Sequence, residues 1–123
     1  MDDLAEGLKA LADPTRLRLL NLLRHGELRV CDLTASLELP QSKVSRHLGY
    51  LKKEQWVAGR RNGKWMHYKL SVPRHPVLVK VMQALHEDLG SHVMAKADEA
   101  RLEQHLKAKG LPLVDGRLLE ASA

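Results

Sequence analysis

The chain has 123 residues, a formal net charge of +5, no phenylalanine and one cysteine. One cysteine excludes an internal disulfide framework and a cysteine-based zinc ribbon within one chain. Because no signal region and no membrane-length apolar run appears, we expect a single-domain, cytoplasmic protein. The sequence contains no carboxylate pair, glycine-rich phosphate loop or nucleophile motif, which argues against an enzyme.

The first thirty residues predict two helices and an extended connection. Apolar residues at helical spacing predict the first helix over 4–11. Asp13 and Pro14 suit the N-cap and the first position of a leucine-rich second helix over 15–24. A short extended connection over 27–30 follows.

Residues 41–51, QSKVSRHLGYL, predict a helix with two different faces. Val44, Leu48 and Leu51 recur at the spacing of one buried stripe. The opposite face offers groups that bind base edges and phosphates: Gln41, Ser42, Ser45, Arg46 and Tyr50. Joined by a tight turn to a short helix over 31–37, it forms a helix-turn-helix suited to the DNA major groove. Taken alone, the stretch also permits a solvated amphipathic helix.

A β-hairpin is predicted after this helix. Residues 56–61 and 64–70 have strand character, and Asn62-Gly63 between them favours a type I′ turn. Alternation along the second strand places Trp65, His67 and Lys69 on one face and Met66, Tyr68 and Leu70 on the other. The basic tip of such a hairpin predicts a wing that contacts phosphates or the minor groove.

Positive charge is concentrated in these two elements. Residues 41–70 contain eight Lys and Arg against one acidic residue, Glu54. A basic face on an otherwise nearly neutral chain is typical of nucleic-acid binding. An acidic protein partner is the less favoured alternative.

Apolar residues over 77–94 follow helical spacing for nearly five turns, longer than one small domain needs. Together with the first helix, this stripe predicts a homodimer interface. The alternative is that it covers the core of the monomer. An interruption is expected at Gly90-Ser91.

The sequence after this stripe predicts a second, smaller region. A polar helix is expected over 98–109, and the segment from Gly110 onward is expected to be loosely held. We therefore predict a DNA-binding and dimerisation domain over 4–97 and a C-terminal extension over 98–123.

Four motifs, in this order, resemble one family of repressors. They are LADPTRLRLLNLL (11–23), GELRVCDL (26–33), QSKVSRHLGYLKK (41–53) and RRNGKWMHYKL (60–70). Over roughly residues 4–95 the chain is similar to the ArsR/SmtB repressors, and most similar to their arsenic-responsive branch. The resemblance implies a mainly α fold with a small β-hairpin, a winged helix-turn-helix of order α-α-α-α-β-β-α. It also implies a homodimer, formed through the first and last helices, that binds a palindromic operator until an inducer releases it.

The resemblance also implies which residues contact DNA. On the recognition helix they are Gln41, Ser42, Lys43, Ser45, Arg46 and His47. On the wing they are Arg60, Arg61, Asn62, Gly63 and Lys64. His47 lies beside the buried seam, so a structural role is an equal alternative for it.

The inducer site departs from the family pattern. Arsenic-responsive members bind trivalent arsenic or antimony through cysteines within ELCVCDLC, and soft thiolates suit such ions. Here the first and last of these cysteines are Arg29 and Thr34, which leaves Cys31 alone. One thiolate cannot form that site within one chain, and Cys31 is interpreted as buried and structural or, alternatively, as sensing. Arg29 is a candidate for lowering the pKa of the Cys31 thiol.

Zinc-type members of the family bind metal on the last helix, across the dimer. The corresponding candidates are His75, His86, Glu87, Asp88 and His92. Asp88 and His92 are spaced i, i+4 and are able to share one metal ion. The family's Asp-x-His start is replaced by Pro73-Arg74-His75, and exposed histidines are more often solvated than metal-bound.

The function predicted is therefore a DNA-binding repressor released by a metal, metalloid or other small effector. The alternative is a winged-helix regulator without metal sensing, which responds to redox state, an organic ligand, or a protein or RNA partner.

Overall fold

The computed structural model describes residues 1–111 and the backbone of 113–114 and 117–118. The helices are α1 (Asp2–Lys9), α2 (Pro14–Leu23), α3 (Val30–Leu37), α4 (Gln41–Lys53), α5 (Pro76–Asp88) and α6 (Val93–Ala108), with a 3₁₀ turn at Leu89–Ser91. The strands are β1 (Leu28–Arg29), β2 (Val57–Asn62), β3 (Trp65–Leu70), β4 (Leu113–Val114) and β5 (Arg117–Leu118). The predicted mainly helical winged helix-turn-helix is confirmed.

Helix α2 begins at a capped start, and its dense leucines place it at the centre of the core. The Asp13 carboxylate accepts a hydrogen bond from the Arg16 amide at 3.1 Å, and Pro14 occupies the first helical turn. Its most deeply buried leucines are Leu19, Leu22 and Leu23.

The turn of the helix-turn-helix runs from the end of α3 to the start of α4. Glu38 ends α3 in the left-handed backbone conformation (φ 54°), and Pro40 directly precedes α4. Helix α4 then packs on the core through Val44, Leu48 and Leu51, each 0% exposed. The predicted apolar seam is therefore confirmed.

The wing is a three-stranded antiparallel sheet of order β1-β3-β2, not a hairpin alone. The stretch predicted as an extended connection over 27–30 supplies strand β1, where Leu28 pairs with Tyr68 and Arg29 with His67. Because Leu28 is buried in the core, this short strand fastens the wing to the helices.

The hairpin turn was predicted one residue too early. Asn62 pairs with Trp65, so the two turn residues are Gly63 and Lys64. Of these four residues, Gly63 alone has positive φ (63°), the pattern of a type II′ turn. A type I′ turn at Asn62-Gly63 is therefore wrong: with glycine first in the loop, a II′ turn needs positive φ at one residue only.

The apolar stripe over 77–94 does not form one helix. Helix α5 ends at Asp88, the 3₁₀ turn at Leu89–Ser91 redirects the chain, and α6 packs against α2 and α3. Leu102 and Leu106 of α6 are buried in the same core cluster as the leucines of α2.

The predicted boundary between 4–97 and 98–123 falls inside α6, and the division into two regions stays a prediction. The loosely held tail was predicted from Gly110 onward, and most of that segment lies outside the described residues. In the part of the chain that the structure describes, every helix is too short or too polar to cross a membrane.

Candidate nucleic-acid interface

Helix α4 presents a polar face that is open to solvent. The predicted contact residues Gln41, Ser42, Lys43, Ser45 and Arg46 are all exposed. Because the opposite face is anchored by a fully buried seam, these side chains project from a helix whose position is fixed. Glutamine, serine, lysine and arginine are the residue types that bind base edges and phosphates in a major groove.

His47 is placed differently from the other residues predicted on this helix. It is 8% exposed, and its Nδ1 lies 3.2 Å from Nη1 of Arg16 and 3.8 Å from the Asp13 carboxylate. Burial and the positive charge of Arg16 lower the pKa of His47, although Asp13 opposes the shift. These contacts give His47 a structural partner at the start of α2, and direct DNA contact by it stays a prediction.

Arg16 joins three helices at the back of the interface. Its Nε donates a hydrogen bond to the carbonyl oxygen of Ala10 at 2.5 Å, and its guanidinium carbon lies 4.3 Å from the centre of the Tyr50 ring. The guanidinium thus contacts the end of α1 and the side of α4 at once. Sequence reasoning missed this role because the partners are up to 34 residues away.

The cations of the wing differ in whether they already form an ion pair with an acidic side chain. Arg60 donates two hydrogen bonds to the Glu27 carboxylate, at 2.9 and 2.7 Å, and His67 Nδ1 lies 3.6 Å from the same carboxylate. The hydrogen bonds from Arg60 lower the pKa of Glu27. By contrast, Arg61 and Lys64 are exposed and form no ion pair with the described residues. Asn62 and Gly63, also exposed, complete the tip.

An exposed tryptophan on the outer face of the wing lies between two cations. The Trp65 ring is 5.0 Å from the guanidinium of Arg29 and 5.7 Å from the ammonium of Lys64. Both distances are typical of cation–π contacts. Arg29 therefore contributes to the wing, a role that its position two residues before Cys31 does not indicate.

The surroundings of Cys31 differ from the predicted environment. The thiol is partly buried, and the cation beside its sulfur is Lys109, whose Nζ lies 3.7 Å away. The Arg29 guanidinium instead lies 4.0 Å from the carboxylate of Asp32. Thr34, at the last cysteine position of the family pattern, donates its hydroxyl to the Cys31 carbonyl at 3.0 Å.

The candidate metal ligands are spread from His75, directly before α5, to His92, directly before α6. His75 caps the start of α5, where Nδ1 accepts a hydrogen bond from the Val77 amide at 3.3 Å. Asp88 and His92 are brought together at the other end, with His92 Nε2 3.2 Å from the Asp88 carboxylate. Burial and nearby Arg24 lower the pKa of His86.

No group of three metal-binding side chains occurs among the described residues of one protomer. A tetrahedral zinc site needs three or four protein ligands. A metal site on α5 would therefore need ligands from a second protomer, and it stays a prediction.

Comparison with known proteins identifies the helix-turn-helix. The family described as bacterial regulatory protein, arsR family, matches residues 13–57, which include α2, α3 and α4. The arsenical resistance operon repressor of Escherichia coli is 50% identical over 64 residues, covering 51% of this chain and 55% of that protein. The transcriptional activator HlyU of Vibrio cholerae is 34% identical over 79 residues, covering 64% of this chain and 73% of HlyU. The chain spans 52–58% of the length of the first three curated relatives it matches.

Solved structures extend the similarity to 70–75% of the chain. HlyU from Vibrio cholerae aligns with a TM-score of 0.61 at 32% identity, covering 70% of this chain and 90% of that structure. A homodimeric winged helix-turn-helix DNA-binding domain from Mycobacterium bovis aligns with a TM-score of 0.59 at 27% identity, covering 75% and 86%. The chain belongs to the ArsR family of winged helix-turn-helix DNA-binding transcriptional regulators.

Proposed function

We propose that this regulator is a homodimeric repressor that binds a palindromic operator. The observation that carries the proposal is the exposed polar face of α4, which is backed by Val44, Leu48 and Leu51 at 0% exposure. A helix held so firmly is able to read base edges without being reordered on binding.

Within this proposal, different residues have different tasks. Arg46 and Gln41 read base edges, because arginine binds guanine and glutamine binds adenine in a bidentate way. Lys43 and the exposed wing cations Arg61 and Lys64, which form no ion pair with the described residues, bind phosphates and supply salt-dependent affinity. Asn62 and Gly63 bring the backbone of the wing tip close to the DNA.

Exposed apolar side chains on α1 and α5 support a homodimer formed through these two helices. Leu8 of α1 is 41% exposed and Val77 of α5 is 45% exposed. Two such protomers would place their α4 helices in successive major grooves about 34–36 Å apart.

Release by a small effector is part of the proposal, but its chemistry differs from that of arsenic-responsive relatives. With one cysteine in the chain, a protomer lacks the thiolates that a trivalent metalloid prefers. This observation favours a second candidate, in which the regulator senses no metal and responds to redox state, an organic ligand, or a protein or RNA partner. Since the relative HlyU is a transcriptional activator, the experiment also tests whether this regulator represses or activates transcription.

A binding titration tests whether the protein recognises a DNA sequence and how its affinity depends on salt. Wild-type protein is used to enrich a duplex from a random double-stranded library, and that duplex and a scrambled copy are titrated by fluorescence anisotropy. We expect tight binding to the enriched duplex only, with affinity falling by about 0.9 log units per log unit of salt for each neutralised phosphate. Equal affinity for both duplexes would contradict the proposal.

The same titration identifies the effector and the sign of regulation. It is repeated with arsenite, antimonite, zinc and an oxidant, in wild type and in Cys31→Ser, and a promoter reporter carrying the duplex is measured in parallel. Repression in the reporter supports the proposal and activation contradicts it. Release by arsenite in Cys31→Ser would show that Cys31 is not the required ligand.

A further inference from the structure

Helix α6 is fastened to the helix-turn-helix by a carboxylate that is fully buried. Asp98 is 0% exposed, and it accepts hydrogen bonds from Arg18 Nε and Nη2, both at 2.8 Å, and from Arg101 Nη2 at 2.7 Å. A buried carboxylate persists as an ion only when it is paired and hydrogen-bonded in this way.

The two arginines that bind Asp98 also bind the C-terminal end of α3. Arg101 Nε donates to the carbonyl oxygen of Ser36 at 2.6 Å, and Arg18 Nη2 donates to that of Leu37 at 3.1 Å. The last carbonyls of a helix have no partner within the helix, so these donors satisfy groups that would otherwise be open. Asp98 thereby holds two guanidinium groups in the geometry that caps α3.

The capped residues directly precede the turn into the recognition helix. Glu38 follows Leu37 with φ 54°, and α4 begins three residues later at Gln41. Arg101 Nη1 also lies 3.4 Å from the Glu38 carboxylate, so α6 contacts the turn itself. The cluster of Asp98, Arg18 and Arg101 therefore surrounds the point where the chain changes direction toward DNA.

We propose that Asp98, from outside the helix-turn-helix, is a positioning residue for DNA recognition that fixes the angle at which α4 leaves α3. This inference rests on the proposed function, because it concerns how well α4 fits an operator. It assigns to α6 a role in reading DNA, although none of the three residues lies on the exposed face of α4.

Asp98→Asn is the variant of choice, because it keeps the shape of the side chain and removes its charge. The amide group then directs a donor at one guanidinium, which loosens one of the two caps on α3. The matched control is Glu99→Gln on the next residue of α6. Glu99 accepts from Arg24 at 2.6 Å and from Asn21 at 2.9 Å, so it ties α6 to α2 but does not contact the end of α3.

Affinity for the enriched and scrambled duplexes is measured for wild type and both variants, with folding checked by circular dichroism and dimerisation by sedimentation. For Asp98→Asn we expect affinity for the enriched duplex to fall at least tenfold, and affinity for the scrambled duplex to stay within twofold. Glu99→Gln is expected within twofold of wild type on both. Hydrogen exchange of the amides of residues 38, 39 and 41–44 is expected to speed up in Asp98→Asn only, a readout that general loss of stability would not confine to this turn.

Two results would overturn the inference: operator affinity within twofold of wild type in folded Asp98→Asn, or an equal loss in Glu99→Gln. If Asp98→Asn does not fold, Arg101→Lys decides, since lysine keeps the charge but cannot donate to Asp98 and Ser36 as a planar fork does. A three- to tenfold loss is expected for it, and no loss overturns the inference. If wild type itself does not distinguish the duplexes, the proposed function has failed, and the exchange data alone show whether Asp98 holds the turn.

Discussion

The recognition helix and the wing carry similar positive charge but present it in different ways. Lys43 and Arg46 project from a helix whose apolar side is fully buried, and they form no ion pair with the described residues. On the wing, Arg60 is paired with Glu27, while Arg61 is exposed and has no ion-pair partner within the part of the chain that the structure describes. A count of basic residues therefore overestimates the number available to phosphates, because some cations already have an acidic partner.

The largest difference between the two regions is expected in stability. Leu48 is 0% exposed beneath α4, so Leu48→Ala should lower the free energy of unfolding by about 2–5 kcal/mol. Met66 on the wing is only partly buried, and Met66→Ala should cost roughly 1 kcal/mol. Urea unfolding measures both, with Lys52→Ala on the exposed side of α4 as the control. Equal losses for Leu48→Ala and Met66→Ala would show that the wing is as firmly packed as the helix.

The second difference concerns sequence-specific affinity. Arg46→Ala is expected to weaken binding to the enriched duplex by about 1–3 kcal/mol if Arg46 reads a guanine. It should leave the free energy of unfolding within about 0.5 kcal/mol of wild type, because the side chain is exposed. Anisotropy titrations on matched duplexes measure the effect. Unchanged discrimination between the enriched and scrambled duplexes would remove Arg46 from its assigned role.

A third test addresses the paired and the free arginine of the wing. Arg61→Ala should reduce the slope of log affinity against log salt by about 0.9, the value for one phosphate contact, whereas Arg60→Ala should change it little. Glu27→Gln releases Arg60 and should steepen the slope by up to about 0.9. Salt titrations of the three variants on one duplex measure this. A larger effect of Arg60→Ala than of Arg61→Ala would mean that DNA displaces Glu27.

The smallest effect is expected from pH, at His47. The pKa of His47 is lowered in the folded protein, chiefly by burial, so the unfolded chain takes up its proton at higher pH. His47 therefore contributes stability above its ordinary pKa of about 6.5, and that contribution is lost as pH falls through the lowered value. His47→Gln keeps an acceptor for Arg16 but does not titrate. Its unfolding midpoint in urea should fall less than that of wild type between pH 7.5 and 5.5, and an equal fall would assign the pH dependence to other groups.

Local patterns predicted much of the fold. Asp13 and Pro14 start α2 as expected, and the seam of α4 was visible from its spacing, because capping and helical periodicity depend on neighbouring residues. The turn of the wing was misplaced by one residue, since Asn62-Gly63 and Gly63-Lys64 are both acceptable loops locally. Register with β1 and β3, which local sequence does not encode, selects between them.

By itself, the sequence determined that this protein has a winged helix-turn-helix with an exposed polar recognition face, because each element depends on short-range patterns. Only the tertiary structure decided which charges are free and which are engaged. Arg60 meets Glu27 across 33 residues, and Arg18 meets Asp98 across 80. Such pairs form because folding brings distant side chains to one place. For Asp98, which is 0% exposed, burial also makes an unpaired charge too costly to leave.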